Sequence, residues 1–400
     1  MPEPKAVPLL RAIALRPGSA AHSLTISLRY AAPALLGYIA VRLTGLAILM
    51  ISASVTGKDG MRRLTGRWDS VWYQRIAEHG YGYEVRLPDG TLHSDLAFFP
   101  LLPALERGLS VLFPPLGVAG AGLLISWLAS LAAACGIFAV GARIYGRRAG
   151  TLLAVLWGAY PTAFVQSMAY TETLFTALAA WALYAVLTDR WITAGVLCVG
   201  AGLTRPVAAA LIAAIGVTAM WRLVTERGGG EPLRRHWRMA VGVCLAPLGW
   251  LSYIVFVAVW EGNPFAYFDI QADWNNRIDG GAALAVFVAE QFGRSVLAGL
   301  GLCAAFALLL WVVWLCVRQR PRQPLPVIVY CVMVVVISLI GSGYFGSRPR
   351  LMMPAFPLLL PAAVALASAR RRALPAVIVG VAALASGVYG AFNLLGSGPP

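Results

Sequence analysis

Arg67-Trp68-Asp69-Ser70-Val71-Trp72-Tyr73 is followed by Gly80-Tyr81 and then by Ala97-Phe98-Phe99-Pro100-Leu101-Leu102-Pro103. These residues occupy the only long polar segment between the first two apolar runs of the chain, so a carboxylate is presented among aromatic side chains next to a membrane. The runs on either side decide the fold. Hydrophobic residues make up 59% of the 400, charged residues 12%, and the mean hydropathy is +0.74. A soluble globular chain does not carry that composition without exposing apolar surface. Backbone groups have no water partners in the bilayer core, so each crossing must be a helix of about 20 residues.

The apolar runs cover 30–52, 116–142, 151–166, 173–187, 191–203, 206–221, 239–260, 295–317, 325–344, 351–369 and 374–395. They predict an all-α integral membrane protein, a polytopic bundle of about eleven transmembrane helices. Thr204-Arg205-Pro206 reads either as a break between two helices or as a kink in one, since proline inside a helix removes a hydrogen bond and clashes with the preceding turn. Charge favours the break. With the N-terminus cytoplasmic, the outer segments carry 12 Lys/Arg against 13 Asp/Glu and the inner ones 19 against 4, leaving only Arg42 within a span. The net charge of +15 thus sits on one side, as the positive-inside rule requires. Its clusters include Arg143/Arg147/Arg148, Arg234/Arg235/Arg238, Arg318/Arg320/Arg322 and Arg370/Arg371/Arg372. Basic residues spaced at topological intervals, rather than along one face, argue against nucleic acid as a partner.

One domain is predicted. Residues 1–29 form a basic cytoplasmic tail, 30–395 the transmembrane unit and 396–400 a short outer tail. The first apolar run is too long for a cleaved signal and reads as a signal anchor. Within the unit, 53–115 is the large outer loop and 261–294 a second outer segment. Trp68, Trp72 and Ile76 recur at four-residue intervals, predicting a surface helix with Asp69 at the edge of its apolar face. Leu87 to Gly90 is a turn, and 103–113 a second surface helix. The six cysteines all fall in predicted spans without metal spacing and read as packing residues.

Asp69 beside Trp68 suits a general base, because a carboxylate near apolar rings is a better proton acceptor near neutrality. The plainer alternative is an N-cap for the surface helix. Arg205, Arg348 and Arg350, at outer helix ends, suit the phosphate of a lipid-linked donor, which a guanidinium fork holds bidentately; simple snorkelling to headgroups is the alternative. Arg42 is costly in a span unless paired, and marks either a functional site or a bond to a carbonyl. Glu172, opening a helix, either complements its dipole or touches a substrate hydroxyl. His79, His93, Glu78 and Asp95 share the loop without any recognisable ligand spacing, so no metal site is assigned.

Trp68-Asp69-Ser70 with Tyr73, Gly80-Tyr81, Ala97 to Pro100 with Pro103, Tyr170-Thr171-Glu172 with Leu174-Phe175, Leu203 to Pro206, Gly262-Asn263-Pro264 with Gln271 and Trp274, and Arg348 with Pro354 and Pro357 form an ordered set. That set resembles the bacterial relatives of glycosylphosphatidylinositol mannosyltransferase II, the PIG-V-like group of GT-C glycosyltransferases, over about residues 30–370. The resemblance implies a GT-C-like enzyme of the cell membrane with its active site on the outer face. The donor would be a polyprenyl-phosphate-linked sugar, usually mannose, and Asp69 the base; Trp68, Tyr73, Phe99, Glu172, Gln271 and Trp274 would line the substrates. Ser70 follows Asp69 where the wider superfamily often has a second acidic residue, so no acidic pair for a metal is present and no cofactor is expected. The acceptor does not carry over. The rival class is a lipid transporter or flippase, whose sites lie at the bilayer midplane between broken helices. Only Arg42 would serve such a site.

Overall fold

The computed structural model describes residues 20–88, 90–226, 236–319, 322–371 and 373–397. Most of the predicted N-terminal tail therefore lies outside the described residues, as do Arg234, Arg235, Arg320 and Arg372 of the basic clusters. The described chain is helical almost throughout. In order, the helices are α1 (Ala20–Val55), α2 (Gly60–Thr65), α3 (Asp69–His79), α4 (Leu101–Leu112), α5 (Gly117–Tyr145), α6 (Arg147–Gly158), α7 (Thr171–Leu187), α8 (Trp191–Gly202) and α9 (Ala208–Glu226). They continue with α10 (Trp237–Leu245), α11 (Leu248–Glu261), α12 (Ala266–Asp273), α13 (Ala282–Arg294), α14 (Val296–Arg318), α15 (Leu325–Ile340), α16 (Arg348–Met352), α17 (Leu360–Ala367) and α18 (Ala373–Leu395). One antiparallel hairpin, β1 (Glu84–Arg86) with β2 (Leu92–Ser94), pairs Val85 with His93 around the expected turn, where Gly90 N–H donates to Leu87 O.

The protein is an all-α polytopic membrane protein. Six described stretches are long and apolar enough to cross a bilayer: 29–55, 114–145, 208–225, 237–261, 296–318 and 373–395. The pair 345–352 and 356–367, bent by 79°, is either a seventh, broken span or a re-entrant loop. The other apolar runs among the eleven are helical but shorter, and the reasons are local. In the 151–166 run the helix ends at Gly158 and a 3-10 turn covers Ala163–Ser167, because Pro161 cannot donate a helical hydrogen bond. Pro354 and Pro357 interrupt 351–369 in the same way, and α15 ends at Ile340 rather than at 344. The break at Thr204-Arg205-Pro206 is real, with α8 closing at Gly202 and α9 opening at Ala208.

At the centre α5 packs on α6 and α7, α7 on α8, and α1 on α6 and α18. Tyr38 stacks on Trp157 with ring centroids 5.6 Å apart. The polar ends of that pair are satisfied internally, as a dry core demands: Tyr38 OH donates to Gln166 Oε1 at 3.0 Å and Trp157 Nε1 to Met353 O at 3.1 Å. Helix α8 meets α10 and α11 through backbone contact. A Cβ on Gly242 would fall 2.3 Å from Trp191 O, and one on Gly249 2.0 Å from Val199 O. Small residues at such crossings let helices approach where no hydrophobic drive exists between them. Arg42, the one charge placed within a span, donates to Gly158 O at 3.2 Å and Ser167 Oγ at 2.6 Å. Its bonds are thus those of a structural tie between α1 and the end of α6.

The 53–115 loop folds as a cap. Helices α3 and α4 pack on each other and on α5. Tyr73, Ile76, Phe98 and Leu102 form a small core between them, with Trp72 and Trp274 half-buried against it. The segment 261–294 is itself mostly helical, and it ties back through an isolated bridge between Ile278 and Gly341.

Candidate active site

Asp69 is the first residue of α3, and the cap position before it is Trp68. The expected helix therefore exists, but its buried face is Ser70, Tyr73, Ile76 and Ala77 rather than Trp68, Trp72 and Ile76. Trp68 has φ 52° and ψ −126°, a left-handed backbone that a bulky residue adopts only under external constraint. The constraint is visible on both sides. Ser70 Oγ donates to Arg67 O at 2.6 Å and accepts from Arg67 N at 3.1 Å, while Asp69 N–H donates to Tyr170 OH at 3.0 Å. The turn aims the Asp69 carboxylate away from its own helix, so it does not cap α3.

The carboxylate meets Arg350, with Oδ2 2.9 Å from Nη1. Arg350 Nε lies 3.5 Å from Glu172 Oε1, and the same oxygen is 2.8 Å from Arg205 Nη1. Arg205 Nη1 also donates to Thr171 Oγ1 at 2.9 Å, and that hydroxyl is 3.1 Å from Tyr73 OH. Two acids and two guanidiniums thus form a ladder, Asp69, Arg350, Glu172, Arg205, whose formal charges cancel. Side-chain exposure is 25% at Asp69, 10% at Arg350, 0% at Glu172 and 11% at Arg205. Asp69 is the carboxylate that reaches the surface. Glu172 lies in the first turn of α7, where the dipole favours it, but its Oε2 is buried with no hydrogen-bond partner among the described residues.

Tyr170 frames the ladder from below, with Arg350 stacked 5.4 Å from its ring centroid and Ser126 Oγ bridging its backbone. Burial pushes the hydroxyls of Tyr170 and Tyr73 well above the usual tyrosine range, and the Asp69 charge adds to the shift. Both remain neutral near pH 7 and act as hydrogen-bonding groups rather than as bases.

The other residues singled out from the sequence sit around this centre in different roles. Arg348 donates to the carbonyls of Ser338, Gly341 and Gly343 and stands over the Phe345 ring, so its described bonds hold a main-chain turn. Phe99 is 2% exposed and packed against Tyr253 and Tyr267, leaving no ring face for a sugar. Gln271 Nε2 donates to Ala97 O and Trp274 Nε1 to Ser94 O, both at 3.0 Å, which pins α12 to the cap. Trp72 stacks on Phe98 and Trp274 on His93. His79 and Glu78 are exposed, and among the described residues no group of three His, Cys, Asp or Glu is placed to hold a metal ion. Asp95, fully buried, accepts from Gly82 N–H and Tyr83 N–H; desolvation raises its pKa and those bonds oppose the rise. Sequence reasoning gave no role to Asp95, Arg67, Thr171 or Tyr170, although the last three lie within the motifs that carry the resemblance or beside them.

In comparisons with solved structures, the chain is similar to ArnT from Cupriavidus metallidurans bound to undecaprenyl phosphate, with TM-score 0.55 and 19% identity over 86% of this chain and 62% of that one. The apo state of the same protein gives TM-score 0.53 and 18% identity. The archaeal oligosaccharyltransferase AglB from Archaeoglobus fulgidus, in complex with an inhibitory peptide and a dolichol-phosphate, aligns at TM-score 0.48 and 13% identity. No protein-family model and no curated protein matches the chain. The fold is similar to that of ArnT, and the chain spans about three-fifths of the length of the ArnT chain it matches.

Proposed function

We propose that this protein is an inverting glycosyltransferase that moves a sugar, mannose by its sequence resemblance, from a polyprenyl-phosphate donor to an acceptor at the outer face of the membrane. The observation that carries the reading is the ladder itself: an accessible carboxylate paired with one guanidinium, Arg350, and linked through buried Glu172 to a second, Arg205, at the edge of a helical cap, on a fold similar to that of ArnT. ArnT, which shares that fold, was solved with undecaprenyl phosphate.

In the proposed step the acceptor hydroxyl attacks the anomeric carbon from the face opposite the phosphate. The new C–O bond forms as the bond from that carbon to the phosphate oxygen breaks. The hydroxyl proton passes to Asp69, and the bonding pair leaves with the polyprenyl phosphate. Phosphate is a good leaving group, so no general acid is required. Arg205 and Arg350 are the guanidiniums placed to neutralise it, and charge stabilisation of this kind is the largest single contribution in many enzymes. Glu172, wholly buried, then keeps the two arginines in register. Arg348 is assigned to the fold rather than to the donor.

The direct test is to incubate the purified protein with polyprenyl-phosphate-mannose and candidate lipid or glycan acceptors, and to follow product by mass spectrometry. Release of polyprenyl phosphate with formation of a mannosylated acceptor is expected. Movement of the intact lipid-linked sugar between leaflets, without cleavage, would replace this reading by a flippase.

A further inference from the structure

The four carbonyls that close α18 are all taken by two cations of the outer loop. Arg67 Nη1 donates to Asn393 O at 3.2 Å, Leu394 O at 2.6 Å and Gly396 O at 2.7 Å, and Lys58 Nζ donates to Leu395 O at 2.6 Å. The last turn of a helix leaves its carbonyls without intrahelical partners and carries partial negative charge, so cations there are favourable. That accounts for the clamp's stability, but not for where in the loop it falls. Arg67 is the residue immediately before the strained Trp68 and two before Asp69. Its guanidinium also covers the Trp68 ring at 4.2 Å, and its carbonyl is the acceptor for Ser70. The clamp therefore fixes one end of the turn whose other end is fixed by Tyr170. A positive φ on a bulky residue persists only where its surroundings over-determine it.

We infer that the end of α18 is a working part of the catalytic centre, and that Arg67 is a positioning residue which, through this clamp, holds the Trp68 turn so that the Asp69 carboxylate faces Arg350. The inference rests on the proposed transferase reading and deepens it. It makes a helix that contributes no side chain to the ladder a determinant of the base's geometry. Misplacing a reacting group by about 1 Å costs on the order of 10²-fold in rate, whereas donor binding by the arginines is little affected.

The test is Arg67→Gln, with Arg67→Lys as the conservative partner, compared with wild type for donor KM, kcat per correctly folded protein and melting temperature. The expected result is a kcat lowered about tenfold or more with donor KM within about twofold, and substantial rescue by Lys, which keeps a cation for the carbonyls. A variant whose melting temperature falls while kcat per folded protein stays at the wild-type value would overturn the inference, leaving a purely structural clamp. If Arg67→Gln does not fold, the same kcat and KM split is read from Arg67→Met, which also removes the cation while keeping an unbranched stem. A double-mutant cycle of melting temperatures between Arg67→Gln and Asp69→Asn supplies a readout that needs no turnover: coupling is expected, and additivity argues that the clamp does not reach Asp69. Wild-type protein without transfer activity would sink the transferase reading, and the cycle would still decide whether the clamp positions Asp69.

Discussion

Glu172 and Arg205 are joined at 2.8 Å, with the carboxylate wholly buried and the guanidinium about one-tenth exposed. Removing one partner of such a pair leaves an uncompensated buried charge and typically costs about 3 to 5 kcal/mol. Arg205→Ala should therefore destabilise the protein as well as slow it. Combining Arg205→Met with Glu172→Gln removes both charges, and should recover most of the melting temperature without recovering transfer. Equal destabilisation by the single and double variants would show that the ion pair is not the source of the loss.

Asp69→Asn keeps shape and an acceptor oxygen but cannot take a proton at neutral pH. Because Asp69 does not cap α3, the conservative change has no capping role to preserve. Transfer should fall by roughly 10²-fold or more, the scale of a positioned general base. Normal turnover in the Asn variant, measured as initial rate at saturating donor, would remove Asp69 from the mechanism.

Arg348 offers the opposite expectation. Its described bonds run to the carbonyls of Ser338, Gly341 and Gly343, so Arg348→Gln should lower stability by about 1.5 to 3 kcal/mol while donor KM stays near wild type. A raised donor KM with unchanged melting temperature would return Arg348 to the phosphate.

Glu106 is buried in α4 against Gly122, where an added Cβ would come within 2.2 Å of its Oε1, and neither carboxylate oxygen has a hydrogen-bond partner among the described residues. Burial, with the nearby Glu78 charge adding, pushes its pKa up to about 9. The folded-state pKa lies above the unfolded one. Stability is therefore fully present below about pH 4.5 and is lost as pH rises toward 9, because the unfolded chain releases a proton that the folded one retains. Glu106→Gln removes the titrating group and should flatten this slope in thermal melts between about pH 5 and 9; an unchanged slope would mean that another group is responsible for it.

The polytopic class was legible from composition, and the break at Thr204-Arg205-Pro206 from charge balance. Crossing number was harder to read. Apolarity marks what is buried, and α7, α8 and α15 are apolar helices shorter than a full crossing, so among the described residues six of the eleven predicted spans, or seven with the bent pair, have the length and composition of a crossing. Asp69 and Glu172 were visible because acidic residues are scarce in this chain. Their pairing with Arg350 and Arg205 was not, since no periodicity links positions so far apart. Phe99 shows the reverse failure: an aromatic in a polar loop looked available, but the loop folds into a cap with a core of its own. Arg67 stood in the same stretch as Asp69, and its bonds to the carbonyls of Asn393, Leu394 and Gly396 appear only once α18 is in place.

The distance in sequence between Asp69 and Arg350, 281 residues, also sets an order of events during synthesis. At about 5 to 20 residues per second, translation takes roughly 15 to 55 s to pass from one to the other. Over that interval the carboxylate is already made while its counter-ion does not yet exist, and the Arg67 turn waits longer still for the carbonyls of 393–396. On the proposed clamp, the centre is complete only once α18 has been inserted, so a nascent chain stalled before that point carries the 53–115 cap with the Arg67 turn still unclamped.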